Sequence, residues 1–279
     1  MTQSQGDIER LFGAIARRYD GLNRLFSFRR DERWRRRVAG LLPLESGGRA
    51  LDVCTGTGDL AIAIAGAWPR CAVEALDFSA AMLSLAARKA RRAGVAGRIR
   101  FARADALELP FADESFDAVT IAFGLRNLAD RGRGVAEMLR VLRPGGTLAV
   151  LEFAPPAPGL FGRLFRAYLR RVIAPLGDLV SHTPGAYRYL FSSVDGFLAP
   201  ALVADLLASC GAGEVRTRAL TGGVARLWTA RKTAPPHSPF FGRLMHRSGS
   251  GISTPGTLPD KSASTPAGAN AHTHPGRRA

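Results

Sequence analysis

The stretch Leu51-Asp52-Val53-Cys54-Thr55-Gly56-Thr57-Gly58-Asp59-Leu60-Ala61 decides how the chain folds. A short apolar run enters a turn built on Gly56 and Gly58, and a helical periodicity leaves it, which reads as strand, tight turn and helix. Glycines at such a turn let the backbone bend sharply and approach a ligand at the carboxyl end of the first strand of an α/β sheet. The residues also satisfy GxGxxA, so a dinucleotide and S-adenosylmethionine compete for this turn.

Outward from the turn, short apolar runs alternate with helical stretches. The pattern predicts strands over Ala50–Cys54, Ala72–Leu76, Ile99–Ala102, Ala118–Ala122 and Thr147–Phe153. Helices are predicted over Asp59–Ala67, Ala80–Ala93, Gly134–Leu142 and Asp195–Ser209. Glu214–Leu220 and Val224–Lys232 flank Thr221-Gly222-Gly223 as an antiparallel hairpin. The fold class is therefore α/β, a doubly wound and mostly parallel sheet of Rossmann-like type ending in a hairpin.

Acidic residues separate the two ligands. Asp77 ends the second strand, where a carboxylate accepts both hydroxyls of an adenosine ribose in either ligand. Asp59 opens the helix where a pyrophosphate would have to sit, and a carboxylate there repels it. The ammonium of S-adenosylmethionine, which carries no phosphate, is attracted instead. Asp105 follows the third strand, where it can accept the exocyclic amine of adenine while Ala106 donates its backbone N–H to the ring. Together these positions favour the methyl donor.

The chain has 279 residues, 46% of them apolar, enough for a substantial core. Its formal net charge is +16, so nucleic acid, anionic lipid and phosphates all have to be considered as partners. Cys54, Cys71 and Cys210 are too few and too scattered for a disulfide framework or a zinc site, and no metal is expected. Residues 1–48 read as an arginine-rich helical segment covering the site, 49–232 as the catalytic domain with an acceptor-covering insertion over 155–194, and 233–279 as a disordered tail. The first residues carry no signal-peptide core and no window is long and apolar enough for a membrane span, so a cytoplasmic protein is expected.

Four blocks give the chain a family resemblance: Asp52-Val53-Cys54-Thr55-Gly56-Thr57-Gly58-Asp59, Leu109-Pro110-Phe111, Phe123-Gly124-Leu125-Arg126-Asn127, and Arg140-Val141-Leu142-Arg143-Pro144-Gly145-Gly146. In that order, and with Tyr19-Asp20-Gly21-Leu22-Asn23-Arg24-Leu25-Phe26-Ser27 and Trp34 ahead of them, they resemble the ubiquinone/menaquinone-biosynthesis C-methyltransferases over roughly residues 8–232. The block Phe123–Asn127 is the most restrictive; the first and last occur across many class I methyltransferases. The resemblance implies a class I S-adenosylmethionine-dependent methyltransferase fold and methylation of a polyprenylated quinol at a ring carbon. It places Thr57, Asp77, Asp105 and Ala106 against the donor, with Gly56, Gly58 and Asp59 in the same turn. Ala122 stands where the family often has serine, Asp31 where it usually has histidine, and Ala154 where a serine closes the second signature. The run Arg126-Asn127-Leu128-Ala129-Asp130 and Ala154-Pro155-Pro156 resemble the demethylmenaquinol branch more than the benzoquinol branch, which the residues themselves leave open.

Carbon methylation needs an electron-rich ring, which a hydroquinol becomes when a hydroxyl of pKa about 10 ionises. Arg126, just past the fourth strand, is the candidate to stabilise that phenolate, since a guanidinium stays protonated and makes a poor base. Its alternative is a local ion pair with a carboxylate such as Asp130. Asn127 is a candidate to orient the quinol oxygen, and His182, with Tyr187 and Tyr189 nearby, a candidate that titrates near neutrality or a plain surface residue. Residues 159–173 set Phe161, Leu164, Phe165, Tyr168, Leu169 and Val172 opposite Arg163, Arg166 and Arg170, a basic amphipathic helix suited either to an anionic membrane interface or to packing on the core. The expected partners are a polyprenylated naphthoquinol and an anionic membrane surface, with the chain peripheral to the inner face; a homodimer is left open. RNA methylation lacks its usual catalytic motifs here, so nucleic acid is not expected. A non-enzymatic membrane-binding protein on a Rossmann scaffold leaves Asp59, Asp77 and Asp105 unexplained.

Overall fold

A computed structural model describes residues 20–21, 24, 27–44, 47–154, 159, 162–163, 167–168, 171, 193–194 and 196–233. The chain divides into two units, Met1–Pro235 and Pro236–Ala279, and the described residues all belong to the first. The expected tail from 234 on, most of the 155–194 insertion and His182, Tyr187 and Tyr189 lie outside the described residues.

Seven strands form one sheet: β1 (Arg49–Val53), β2 (Ala72–Asp77), β3 (Ile99–Arg103), β4 (Phe116–Ala122), β5 (Leu142–Phe153), β6 (Ala212–Leu220) and β7 (Ala225–Lys232). Their order is β3-β2-β1-β4-β5-β7-β6. β1 to β5 are parallel, and β7 runs antiparallel to both β5 and β6. The described helices are α1 (Arg30–Leu41), α2 (Asp59–Ala67), α3 (Ala80–Arg92), α4 (Arg131–Val141) and α5 (Pro200–Ser209). This is the α/β class I methyltransferase architecture expected. Successive strands run outward from β1 to β2 and β3, then return on its other side to β4, so the order reverses between β1 and β4. Ligands of doubly wound sheets bind outside the carboxyl ends of the strands at such a switch point. In register, Val53 lies beside Leu76 on one side and Ile121 on the other, which brings three strand ends to one level.

The sheet separates two apolar layers. Trp34 and Val38 of α1 and Leu60 and Ile64 of α2 pack with Ala50, Val73 and Ala75 on one face. Val135 and Met138 of α4 and Val203 and Leu207 of α5 pack with Leu51, Val53, Val119 and Ile121 on the other. Strands covered on both faces are predominantly apolar, which explains their nearly continuous hydrophobic runs. α1 is fastened across the fold by Trp34, whose indole N–H donates to the Thr221 hydroxyl at 3.1 Å.

Three boundaries differ by three or more residues from those expected. The helix expected from Asp195 begins at Pro200, because Ala199, held extended ahead of the proline (φ −57°, ψ 148°), cannot be helical. α4 starts at Arg131 rather than Gly134, since Asp130 accepts the Arg133 N–H at 2.9 Å and caps it. β5 begins at Leu142, which pairs with Phe116 ahead of an irregularity between Phe116 and Ala118. No described helix is long and apolar enough to cross a membrane.

Gly58 is where the decisive turn requires glycine. Its φ is +80°, and a Cβ there would stand 2.9 Å from Ala86 Cβ and 3.3 Å from the Phe101 ring. Gly58→Ala therefore combines a left-handed conformation with overpacking. It should lower unfolding free energy by about 2 kcal/mol or more in urea titration. An unchanged midpoint would contradict this reading of the turn.

Candidate active site

The turn after β1 runs through three residues of positive φ, Cys54 (54°), Gly56 (56°) and Gly58 (80°), which fold it back on the sheet edge. Asp77 holds it there. Its Oδ2 accepts the Gly56 N–H at 2.8 Å and its Oδ1 the Ser79 N–H at 2.9 Å, so one buried carboxylate ties the turn to the start of α3. The Thr55 N–H meanwhile donates to the Leu76 carbonyl at 2.8 Å. One strand further out, the Ala104 N–H donates to the Asp77 carbonyl at 3.2 Å, and the Asp105 carboxylate accepts the Leu107 N–H at 2.9 Å. Ala106 is buried behind it, and Ala122 ends β4 half-buried. Gly56, Asp77, Asp105 and Ala106 thus meet at the carboxyl ends of β1 to β3, a row of carboxylates that suits a cationic donor and repels a pyrophosphate.

Asp59, expected to attract a ligand ammonium, already has a cation. Lys89 Nζ of α3 lies 2.5 Å from Asp59 Oδ1 and 2.5 Å from Asp20 Oδ2, with Arg24 3.8 Å from Asp59. The Thr57 hydroxyl donates to Asp20 Oδ1 at 2.6 Å and accepts from Lys89 at 3.0 Å. The sequence pattern around Gly58 contains neither Asp20 nor Lys89, because both reach the turn only through tertiary folding.

On the other side of the switch point, Phe123 (φ 59°) turns the chain out of β4 and Leu125–Asn127 forms one 3₁₀ turn. Gly124 packs so closely on the first turn that a Cβ would lie 2.6 Å from Cys54 Cβ. Arg126 is buried and pairs with Glu152, not with Asp130: Nη1 lies 2.5 Å from Oε1. It also donates to the Phe123 carbonyl at 2.7 Å and, through Nε, to the Ser193 hydroxyl at 3.3 Å. Asn127 is half-buried, and its N–H donates to the Gly124 carbonyl at 3.0 Å. Burial pushes the Glu152 carboxyl up, and Arg126 with the Phe153 and Arg126 N–H groups pulls it down. A single carboxylate inside Thr147–Phe153, otherwise apolar, was the sequence signal for a buried partner.

Asp52 is the second carboxylate that the pattern concealed. It is buried in β1 and accepts the Thr55 hydroxyl at 2.6 Å and the Thr120 hydroxyl at 2.7 Å. Burial raises its pKa from 3.8 to about 6, against the opposing pull of those hydroxyls, Arg35 and the Ala61 N–H. Among the described residues no group of histidine, cysteine and carboxylate side chains is arranged to hold a metal.

The Asp52 shift has a signed consequence. Its folded pKa lies above the unfolded one, so its contribution is fully present below pH 4, falls as pH rises, and is lost above about pH 6. The unfolding free energy of the parent minus that of Asp52→Asn should drop by about 2 kcal/mol between pH 4 and pH 7 in denaturant titrations. A pH-independent difference would contradict the assignment.

Comparison with known proteins finds similar methyltransferases. The chain is 50% identical over 217 residues to a demethylmenaquinone methyltransferase of Thermus thermophilus, covering 78% of this chain and 97% of that protein. It is 44% identical to a ubiquinone/menaquinone biosynthesis C-methyltransferase UbiE of Geobacter sulfurreducens, covering 83% of this chain and 91% of that protein. Among solved structures, a SAM-dependent methyltransferase of Aquifex aeolicus superposes with a TM-score of 0.52 at 18% identity, covering 71% of this chain and 89% of that one, and supports the fold alone. The model of the ubiE/COQ5 methyltransferase family matches residues 1–232, and the chain belongs to that family.

Proposed function

We propose that the chain transfers the methyl group of S-adenosylmethionine to a ring carbon of demethylmenaquinol, giving menaquinol. The observation that carries this reading is the carboxylate-lined turn at the switch point, in a chain half identical to a relative named for that reaction. In this reading Asp77 accepts the ribose hydroxyls, Asp105 the adenine amine, and Ala106 donates its N–H to the ring. Thr57 and the Gly56 and Gly58 backbone surround the donor's amino-acid portion, and Asp59 balances its ammonium. S-adenosylmethionine supplies an electrophilic methyl and departs as S-adenosylhomocysteine.

The acceptor enters beside Phe123–Asn127. A quinol hydroxyl gives up its proton to solvent water, electron density moves to the ring carbon, the new carbon–carbon bond forms there as the carbon–sulfur bond of the donor breaks, and loss of the ring proton to water restores aromaticity. Arg126 stabilises the phenolate, and Asn127 orients its oxygen. Glu152 neutralises part of the Arg126 charge while fixing its position, and since both side chains are buried the guanidinium acts on the phenolate through its field rather than as a contacting donor. Positioning the reacting atoms in line accounts for the remainder of the catalysis.

The same reading places the protein against the anionic inner face of the membrane, where a polyprenylated quinol resides. On α1, Arg30, Arg33, Arg36 and Arg37 are exposed, and Phe28 and Leu41, at 73% and 49% exposure, flank them. Cations ringing exposed apolar side chains suit an anionic lipid interface.

Asp77→Ala should abolish binding of S-adenosylhomocysteine in calorimetric titration while the circular dichroism spectrum stays that of the parent; unchanged affinity would refute the donor site. For Arg126 the test must avoid stranding a buried charge, which costs about 3–5 kcal/mol when one partner is removed. The double variant Arg126→Met, Glu152→Gln, which keeps a side-chain oxygen for the buried Arg126 and Phe153 N–H groups, should fold and bind donor normally yet lose most turnover of demethylmenaquinol. Parental turnover in that variant would refute the phenolate role.

A further inference from the structure

Lys89 is not part of the family blocks around the donor turn, yet its ammonium is the most heavily used side chain there. It donates to Asp20 Oδ2 at 2.5 Å and to the Thr57 hydroxyl at 3.0 Å, and it forms an ion pair with Asp59 Oδ1 at 2.5 Å. These acceptors come from two parts of the chain. Thr57 and Asp59 belong to the turn, whereas Asp20 lies in the segment that precedes α1. Thr57 closes the ring by donating to Asp20 Oδ1 at 2.6 Å. The Lys89, Asp20 and Asp59 side chains are each about one-fifth exposed, so the network is screened less than a surface ion pair.

Packing fixes where Lys89 can reach. Ala86, one turn earlier on α3, lies against Gly58 with no room for a Cβ between them, and the i, i+3 spacing puts Lys89 on the same side of the helix. The two carboxylate oxygens held by Nζ lie within about 5 Å of each other, where like charges repel. Without the ammonium, Asp20 and Asp59 would push apart. Arg24, 3.8 Å from Asp59 and 2.9 Å from Glu32 at the start of α1, adds a weaker second tie between the same two parts.

We propose that Lys89 is a positioning residue: it bridges Asp20 to Thr57 and Asp59, thereby fastening the segment ahead of α1 over the donor turn and orienting the two side chains that meet the donor's amino-acid end. This rests on the donor being seated at that turn. The bridge makes donor affinity depend on a residue pair, Asp20 and Lys89, of which neither is assigned donor contact. Lys89→Arg keeps a cation in reach of both carboxylates, whereas Lys89→Met leaves them facing each other.

The test measures S-adenosylhomocysteine affinity by calorimetry and amide hydrogen exchange over residues 20–32 in the full chain, with Asp77→Ala as the control for the donor site. Lys89→Met should weaken affinity about tenfold and speed exchange, and it should raise KM for the donor while leaving kcat at saturating donor near the parent's. Lys89→Arg should stay within about threefold of the parent. Adding Asp20→Asn to Lys89→Met should recover part of the loss by removing the repulsion, a reversal that mere loss of packing does not produce. If Lys89→Met does not fold, Asp20→Asn alone decides: it should speed exchange over 20–32 and weaken affinity. Parental affinity and exchange in Lys89→Met or Asp20→Asn, or a loss that Asp20→Asn fails to relieve, would overturn the bridge. Persistence of donor binding in Asp77→Ala would instead overturn the seating of the donor.

Discussion

Where parallel strands stop, backbone N–H groups lose their ladder partners, and a buried donor left unpaired is costly. This fold answers with buried carboxylates at the carboxyl edge of its sheet. Asp77 takes the N–H groups of Gly56 and Ser79, and Glu152 takes those of Arg126 and Phe153. Asp52, under the first turn, takes two hydroxyls. In the proposed reaction, the turns they hold are the ones between which donor and acceptor meet. Structural need and ligand chemistry coincide: an edge fastened by carboxylates is also one that attracts a sulfonium and an ammonium.

The positive charge of the chain is arranged around this edge rather than in it. The carboxylates sit inside, while Arg30, Arg33, Arg36 and Arg37 of α1 are exposed. Arg35 of α1 is buried against Asp31, and two more cations depart from that separation. Arg126 is buried against Glu152, and Lys89 is held between Asp20 and Asp59. In both cases a cation is captured by carboxylates before any ligand arrives, so its position is set by the protein.

Much of the architecture was legible in the amino-acid order because parallel strands covered on both faces must be apolar and the turns between them need glycine or capping residues. The run Asp52–Asp59 announced the first turn, and Asp77 and Asp105 fall at strand ends where they were expected. Legibility ended where a residue acts across the fold. Asp20 and Thr57, Lys89 and Asp59, and Arg126 and Glu152 are separated along the chain and meet only when the sheet assembles. Asp130, the local partner considered for Arg126, caps α4 instead, a reminder that a carboxylate near a helix start competes for backbone N–H groups. Asp195–Ala199 read as helical by composition, but Pro200 forces the residue before it out of that conformation.

The destination of the methyl group is the most direct expression of the chemistry at this edge. Incubating the full chain with S-adenosylmethionine carrying an isotopically labelled methyl and with demethylmenaquinol in anionic vesicles, then analysing the product by mass spectrometry and magnetic resonance, establishes it. The predicted result is one label per molecule on a ring carbon of the naphthoquinol, with loss of the ring hydrogen at that position. Label on a quinol oxygen, or none in the quinol while donor is bound, would contradict it.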